Sequence, residues 1–233
     1  MKEMKNVENI KSLIKLTKIV IECEKAHFKI PMGSKVQRTY SIPPISTNIG
    51  IMQNLFNKDI DNFTCGFTFS ANEEIFKDIQ NIYKEVNLNV YTPAKRYDNN
   101  KWTSDICEIH YLINPRLVIY TDLPKDQIKI NDCLVLGKTD CLAKVISIKT
   151  VKLINKIGYG YNQWTDLNVG QGTINRIATE TKYNGEKGIY DIWTKLLRQN
   201  EEFEYDKYYD EEEEQNICLW KYNKESEDKI YAL

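Results

Sequence analysis

Histidine is almost missing from this chain of 233 residues, which has only His27 and His110. Its six cysteines, at positions 23, 65, 107, 133, 141 and 218, never form C-x-x-C, and no H-E-x-x-H occurs. A zinc site therefore has almost no ligands to draw on, and reduced thiols inside strands are expected rather than a disulfide framework. No metal and no cofactor is expected. Long apolar runs are missing too: nothing approaches the roughly 18 residues a membrane helix needs. The longest early run, Ile19 to Ile21, is too short for a signal peptide, so a cytoplasmic protein is expected. Gly158-Tyr-Gly160 and Gly170-Gln-Gly172 lack the third glycine of G-x-G-x-x-G, which argues against a dinucleotide site. No repeat and no Pro- or Ser-rich linker divides the chain.

What is present is 42% hydrophobic residues, enough for one core, or one core with a smaller lobe. The net charge of −1 hides a division along the chain. Residues 201 to 233 hold twelve Asp or Glu against four Lys, so the first 200 residues carry the positive excess. The acidic run Glu211 to Glu214 reads as a solvated tail, with docking on a basic partner as the alternative. Between Lys25 and Lys58 there is no acid at all, although Lys25, Lys29, Lys35, Arg38 and Lys58 fall there. At the chain's own acid frequency such a run arises by chance in roughly one try in a hundred or fewer. A polyanionic partner accounts for it.

Residues 15 to 24 are rich in β-branched side chains and read as a first strand. Residues 25 to 43, with Pro31, Gly33 and Pro43, read as a long loop. Beyond Pro44, Ile45, Ile49, Met52, Leu55 and Phe56 recur at helical spacing to about Asn57, with Ser46 or Thr47 as cap. Phe63, Cys65, Phe67 and Phe69 alternate as in a strand buried on one face. Ile75, Ile79, Ile82 and Val86 are spaced as in a helix, and Tyr91 to Lys101 reads as an exposed excursion. Ile106 to Ile113 and Leu117 to Thr121 suggest a hairpin turning at Asn114 and Pro115. Cys133 to Val135 and Ala143 to Leu153 suggest two more strands, with Gly137 and Lys138 in the turn. Beyond Ile157 the glycines suggest turns between short strands. The pattern is antiparallel with interspersed helices, an α+β fold.

The acid-free interval has the chemistry of a nucleic-acid site. Lys29, Lys35 and Arg38 can neutralise phosphates, and Thr39, Ser41, Ser46 and Thr47 can donate to phosphate or ribose oxygens. A helix starting near Ser46 points unpaired amides at an anion. Tyr40 offers a face for an unstacked base, which favours single-stranded RNA. Taken alone, basic residues in a surface loop are more often merely solvated; Phe28 reads as a core aromatic, and the same is the alternative for Tyr40.

The same interval resembles the CRISPR-associated Cas-five family. The resemblance lies in Ala26, His27 and Phe28, then a basic loop, then Tyr40, Ser41, Pro43, Pro44, Ser46, Thr47 and Gly50 before a helix. Leu136-Gly137-Lys138 followed by Cys141-Leu142-Ala143, and Glu108 to Tyr120, are similar to later parts of that family. The resemblance spans about residues 15 to 155 and looks like type I-B. It implies a ferredoxin-like RAMP domain over 12–157 with an antiparallel sheet, a β-hairpin thumb about 88–122, and a small C-terminal extension with acidic tail over 158–233. The implied task is to bind and cap the 5′ handle of the guide RNA (crRNA) in a Cascade complex. The implied partners are the adjacent Cas-seven-type backbone subunit, the large Cas-eight-type subunit, and target DNA near the PAM end. On this reading Lys25, His27, Lys29, Lys35, Arg38, Thr39, Tyr40, Ser41, Ser46, Thr47, Asn48, Lys95, Arg96, Lys101, Trp102 and Lys138 contact RNA, and no residue is catalytic. One branch of the family cuts repeat RNA with a tyrosine, lysine and histidine set. Here Lys95-Arg96 stands where a Lys-His pair is expected, which argues against cleavage; a metal-independent endoribonuclease is the alternative and a generic RRM-like module the fallback.

Overall fold

The computed structural model describes residues 12–31, 35–57, 59–72, 75–85, 102–130, 133–184, 189–226 and 230–233. The β-branched run of the first strand, β1 (Ser12–Cys23), lies at the centre of a nine-stranded sheet. Its neighbours are β7 (Arg116–Thr121) and β9 (Leu142–Ile154), and Ile19 sits opposite Ile119 on one side and Ile148 on the other. With β4 (Asn62–Ser70) beyond β7, the central order is β9-β1-β7-β4, all antiparallel. The later part of the chain completes both edges. Strands β13 (Tyr209–Asp210) and β14 (Gln215–Asn216) extend the β9 side, and β15 (Leu219–Asn223) and β16 (Ile230–Ala232) extend the β4 side. Strand β8 (Leu134–Val135) pairs with β9, and Gly137 turns the chain between them with φ +91°.

Both faces of the central strands β1, β7 and β4 are buried. Ile19 and Ile21 face α1 (Ile45–Phe56), whose Ile45, Ile49, Met52, Leu55 and Phe56 form one apolar stripe. Leu16 and Val20 point the other way, onto Ile217 and Leu219. That second layer corrects the one-sided reading of β4: every residue from Phe63 to Phe69 is buried. A Cβ at Gly66 would lie 2.7 Å from the side chains of Ile217 and Leu219, so the absence of a side chain lets this segment close down. Helix α1 ends at Asn57, which takes the left-handed conformation (φ 47°) and returns its amide to Asn54 and Gln53.

A second sheet joins β2 (Lys25–Ala26), β6 (Trp102–Ile113), β3 (Val36–Gln37) and β5 (Ile75–Glu85). It corrects three expectations. Residues 75–85 are a strand, paired with β6 from Ile75↔Leu112 to Glu85↔Trp102. The 25–43 stretch contains β2, β3 and an antiparallel bridge between Lys29 and Thr39. Strands β6 and β7 follow one another but belong to different sheets, because Asn114 (φ 49°) turns the chain from one to the other. The residues 86–101, with the expected excursion, lie outside the described residues.

The glycine-rich region is not a set of short strands either. It forms a third sheet, ordered β10 (Gly158–Thr165), β12 (Ile189–Tyr205), β11 (Thr173–Asn184). Trp164 of β10 donates its indole N–H to the carbonyl of Pro43 at 2.9 Å, tying this sheet to the start of α1. The acidic run is not a solvated tail. Lys18, wholly buried, is held by Asp210, Glu212 and Glu213 at 2.8, 2.9 and 2.7 Å, and the Arg116 guanidinium grips both oxygens of Glu213.

Candidate nucleic-acid interface

Helix α1 begins without a side-chain cap. Its N-cap residue is Pro44, and the expected Ser46 or Thr47 caps lie inside the first turn instead. The Pro44 carbonyl accepts from the amides of Thr47 and Asn48, and among the described residues no side chain caps the helix start. The positive end of the helix therefore opens onto a groove of about 850 Å³. His27, Lys29, Tyr40, Ser46, Thr47 and Lys138 line it, six of the residues singled out from sequence. Arg176 of β11 and Thr194 of β12 close the far wall, and the Arg176 guanidinium donates to the Thr194 hydroxyl at 3.2 Å. Sequence reasoning missed Arg176, and no local motif surrounds it.

Tyr40 borders a second cleft, of about 820 Å³. Thr39 and Ser41 line it with Gln171, Asn175, Gln199 and the exposed Glu201 and Glu202, and no Lys or Arg is in the lining. Tyr40 is itself half-buried, edge-on to Trp164 at 6.4 Å, and burial raises its phenol pKa. The first groove sets Lys29, Lys138 and Arg176 beside a largely apolar lining that includes Phe28, Ile30, Pro31, Ala178 and Ile192, the second is polar and acidic, and Tyr40 borders both.

The remaining sequence candidates separate. The Thr39 hydroxyl is committed within the chain, accepting from the Phe28 amide and donating to the Tyr40 carbonyl. Ser41 accepts from the Gln199 amide. Lys25 pairs with Asp140 at 3.0 Å and lies 4.4 Å from the centre of the Tyr111 ring, and the Asp140 hydrogen bond raises its pKa. Lys138 reaches the Tyr111 hydroxyl at 3.1 Å. Lys35 and Arg38 are exposed and line neither cleft. Asn48 corrects the sequence reading outright, since it is 1% exposed and turns into the core beneath the helix. Trp102 opens β6 opposite Glu85. Lys95, Arg96 and Lys101 lie outside the described residues.

His27 is 3% exposed, and its Nδ1 lies 2.8 Å from the carbonyl oxygen of His110. Burial lowers its pKa; the His110 carbonyl opposes that shift, and nearby Lys138 and Lys29 reinforce it. His110 points its ring elsewhere, with Nε2 2.7 Å from Glu108. Among the described residues no cluster of three His, Cys, Asp or Glu side chains is placed to hold a metal. No described helix is long and apolar enough to cross a membrane.

No family model and no curated protein matches the chain. Solved structures are similar in fold. One chain, from "Cryo-EM structure of the Type III-B Cmr-beta bound to cognate target RNA and AMPPnP, state 1", has a TM-score of 0.50 at 12% identity, over 81% of this chain and 86% of that chain. A chain of a "CRISPR RNA-guided surveillance complex" gives 0.49 at 10% identity, over 81% and 91%. "Crystal structure of a CRISPR protein from Archaeoglobus fulgidus" gives 0.37 at 10% identity, over 94% and 98%. At such identity the first likeness concerns the fold alone.

Proposed function

We propose that this chain is a CRISPR-associated, RAMP-like subunit that holds the 5′ end of a guide RNA in an interference complex without cutting it. The observation that carries the reading is the groove at the start of α1, where an uncapped helix terminus meets Lys29, Lys138 and Arg176. Amide dipoles and cations converging on one groove suit a phosphodiester backbone. Tyr40 at its edge suits a base turned out of the strand. The fold likeness to a chain of an RNA-bound CRISPR complex supports the same assignment.

The finer assignment is Cas-five-like and type I-B-like. In it the strands β9-β1-β7-β4 are the ferredoxin-like core, and the β5–β6 hairpin is the base of a thumb. The domain spans 12–157, and the remainder is an extension that packs back onto its sheet. The backbone and large subunits, and target DNA near the PAM end, are then the partners of the surfaces around the groove, in a cytoplasmic complex. Non-catalytic binding is favoured because His110 is turned to Glu108 and away from the groove. That leaves His27 without a second histidine to share acid and base roles.

Salt-dependent binding of single-stranded RNA tests the reading. Each phosphate contact contributes about 0.7 to the slope of log affinity against log salt for a single strand. Lys29→Ala with Arg176→Ala should lower the slope by about 1.4. An unchanged slope removes the groove from the RNA path. Incubation with repeat RNA should leave it intact, and site-specific cleavage lost in His27→Ala would establish the nuclease instead.

A further inference from the structure

The turn between β8 and β9 sets a cation and an acid side by side. Two backbone hydrogen bonds close it, from the Leu136 amide to the Cys141 carbonyl and from the Cys141 amide to the Lys138 carbonyl, each 2.9 Å. Lys138 lines the groove, whose lining holds no Asp or Glu, and Asp140 stands two residues along. The Asp140 carboxylate draws three donors together. Its Oδ2 accepts from Lys25 Nζ at 3.0 Å and from the Tyr111 hydroxyl at 2.9 Å, and its Oδ1 lies 3.7 Å from Lys138 Nζ. Lys138 also donates to the Tyr111 hydroxyl at 3.1 Å, and Lys25 lies 4.4 Å from the centre of that ring, so one buried phenol on β6 anchors the whole group. Burial by itself would raise the Asp140 pKa, but the hydrogen bonds from Lys25 and Tyr111 outweigh it and hold the carboxyl below its ordinary value, as an anion. Solvent reaches all three charged side chains: those of Lys25, Lys138 and Asp140 are 32%, 29% and 36% exposed.

A carboxylate and a phosphodiester offer lysine the same partner, one negative charge shared by two outward oxygens. Asp140 therefore holds Lys25 and Lys138 as a backbone phosphate would hold them. Exposed ion pairs contribute little and open readily, whereas a strand already seated in the groove presents its next phosphate at high local concentration. We propose that Lys25 and Lys138 form a second phosphate site at the edge of the groove, and that Asp140 is the resident anion for which the RNA backbone exchanges. Asp140 keeps the two ammonium groups gathered and competes with RNA for them. This rests on the groove being an RNA site, and it carries the path of the strand past Lys138 to Lys25, which lines neither cleft.

The test uses the full chain and a pool of randomised single-stranded RNA on the order of ten nucleotides long, with affinity followed over a range of salt. Asp140→Asn keeps the shape and an acceptor for Lys25 and Tyr111 while removing the charge. It should tighten binding about two- to fivefold, the strength of an exposed ion pair that no longer has to open. Asp140→Ser, a second variant, should do the same, with folding of each variant checked by thermal unfolding. Adding Lys25→Ala to Asp140→Asn should lower the salt slope by about 0.7, one phosphate contact on a single strand. With both Lys25 and Lys138 replaced by Ala, Asp140→Asn should no longer tighten binding. Folded Asp140 variants that bind no more tightly than wild type overturn the inference while RNA binding stands. A gain that persists without the two lysines also overturns it, since the lost charge then acts at long range and not by exchange. An unchanged slope on adding Lys25→Ala takes Lys25 off the RNA path and refutes the second site. If wild type binds no RNA, the function reading falls and this inference with it.

Discussion

Replacing Lys18 by Met strands a carboxylate inside the protein. Lys18 lies on β1 opposite Tyr120 and Lys149, and its side chain is wholly buried. Its ammonium meets Asp210, Glu212 and Glu213, and Asp210, itself 3% exposed, also accepts from the Tyr120 hydroxyl at 2.8 Å. Burial by itself would lower the Lys18 pKa, but the three carboxylate hydrogen bonds outweigh it and raise the value. Lys18→Met keeps most of the volume and removes the cation. Arg116 still holds Glu213, so the uncompensated charge is that of Asp210. Breaking a buried pair from one side costs about 3–5 kcal/mol, whereas substitutions at exposed sites usually stay within about 0.5 kcal/mol. Urea unfolding followed by circular dichroism gives the loss from the shift in midpoint at constant slope. Adding Asp210→Asn should recover much of it, because a buried ion pair and its neutral replacement are close to equal in stability. A Lys18→Met loss below about 1 kcal/mol, with no recovery in the double variant, would falsify the account of the acidic segment as a buried counter-charge.

Glu213 is held at a pKa of about 2, first by the Arg116 hydrogen bond, against an ordinary 4.5. Its contribution is complete above pH 4.5 and drains away as pH falls toward 2, about 3 kcal/mol in all; Glu213→Gln should flatten the acid limb of the stability curve. Gly137→Ala should destabilise by more than about 1 kcal/mol, since a Cβ at φ +91° collides with the His27 carbonyl; an unchanged melting temperature contradicts that packing. Tyr40→Ala should cost about 1–3 kcal/mol of RNA affinity while Tyr40→Phe retains it, measured by fluorescence anisotropy. Equal loss in both variants would assign the effect to the hydroxyl and not to stacking.

Local pattern made the strand, helix, strand opening legible, because β1, α1 and β4 each carry their own periodicity. It misled at β5. Ile75 and Ile79 are four apart, a spacing that fits one helix face and equally one strand face, and both are exposed, so no core-facing alternation marked the strand. Residues 106–113 and 117–121 looked like a hairpin because adjacency in sequence is a good guide to pairing, and a change of sheet at Asn114 leaves no local sign. The groove was half legible. The acid-free interval pointed to Lys29, Tyr40, Ser46 and Thr47, all of which line it. Arg176 arrives from a distant strand, and Lys18 lies 192 residues before Asp210, so charge counted along the chain could not reveal either partnership. Lys35 and Arg38 belonged to the same basic stretch, yet the bridge between Lys29 and Thr39 leaves them outside the groove.

Ultraviolet cross-linking of the chain to single-stranded RNA, with the adducts located by peptide mass spectrometry, tests the central claim most directly. The account predicts adducts on the peptide bearing Tyr40, with others on the segments around His27 and Lys138. Adducts confined to β5 and β6, with none on those three segments, would contradict it.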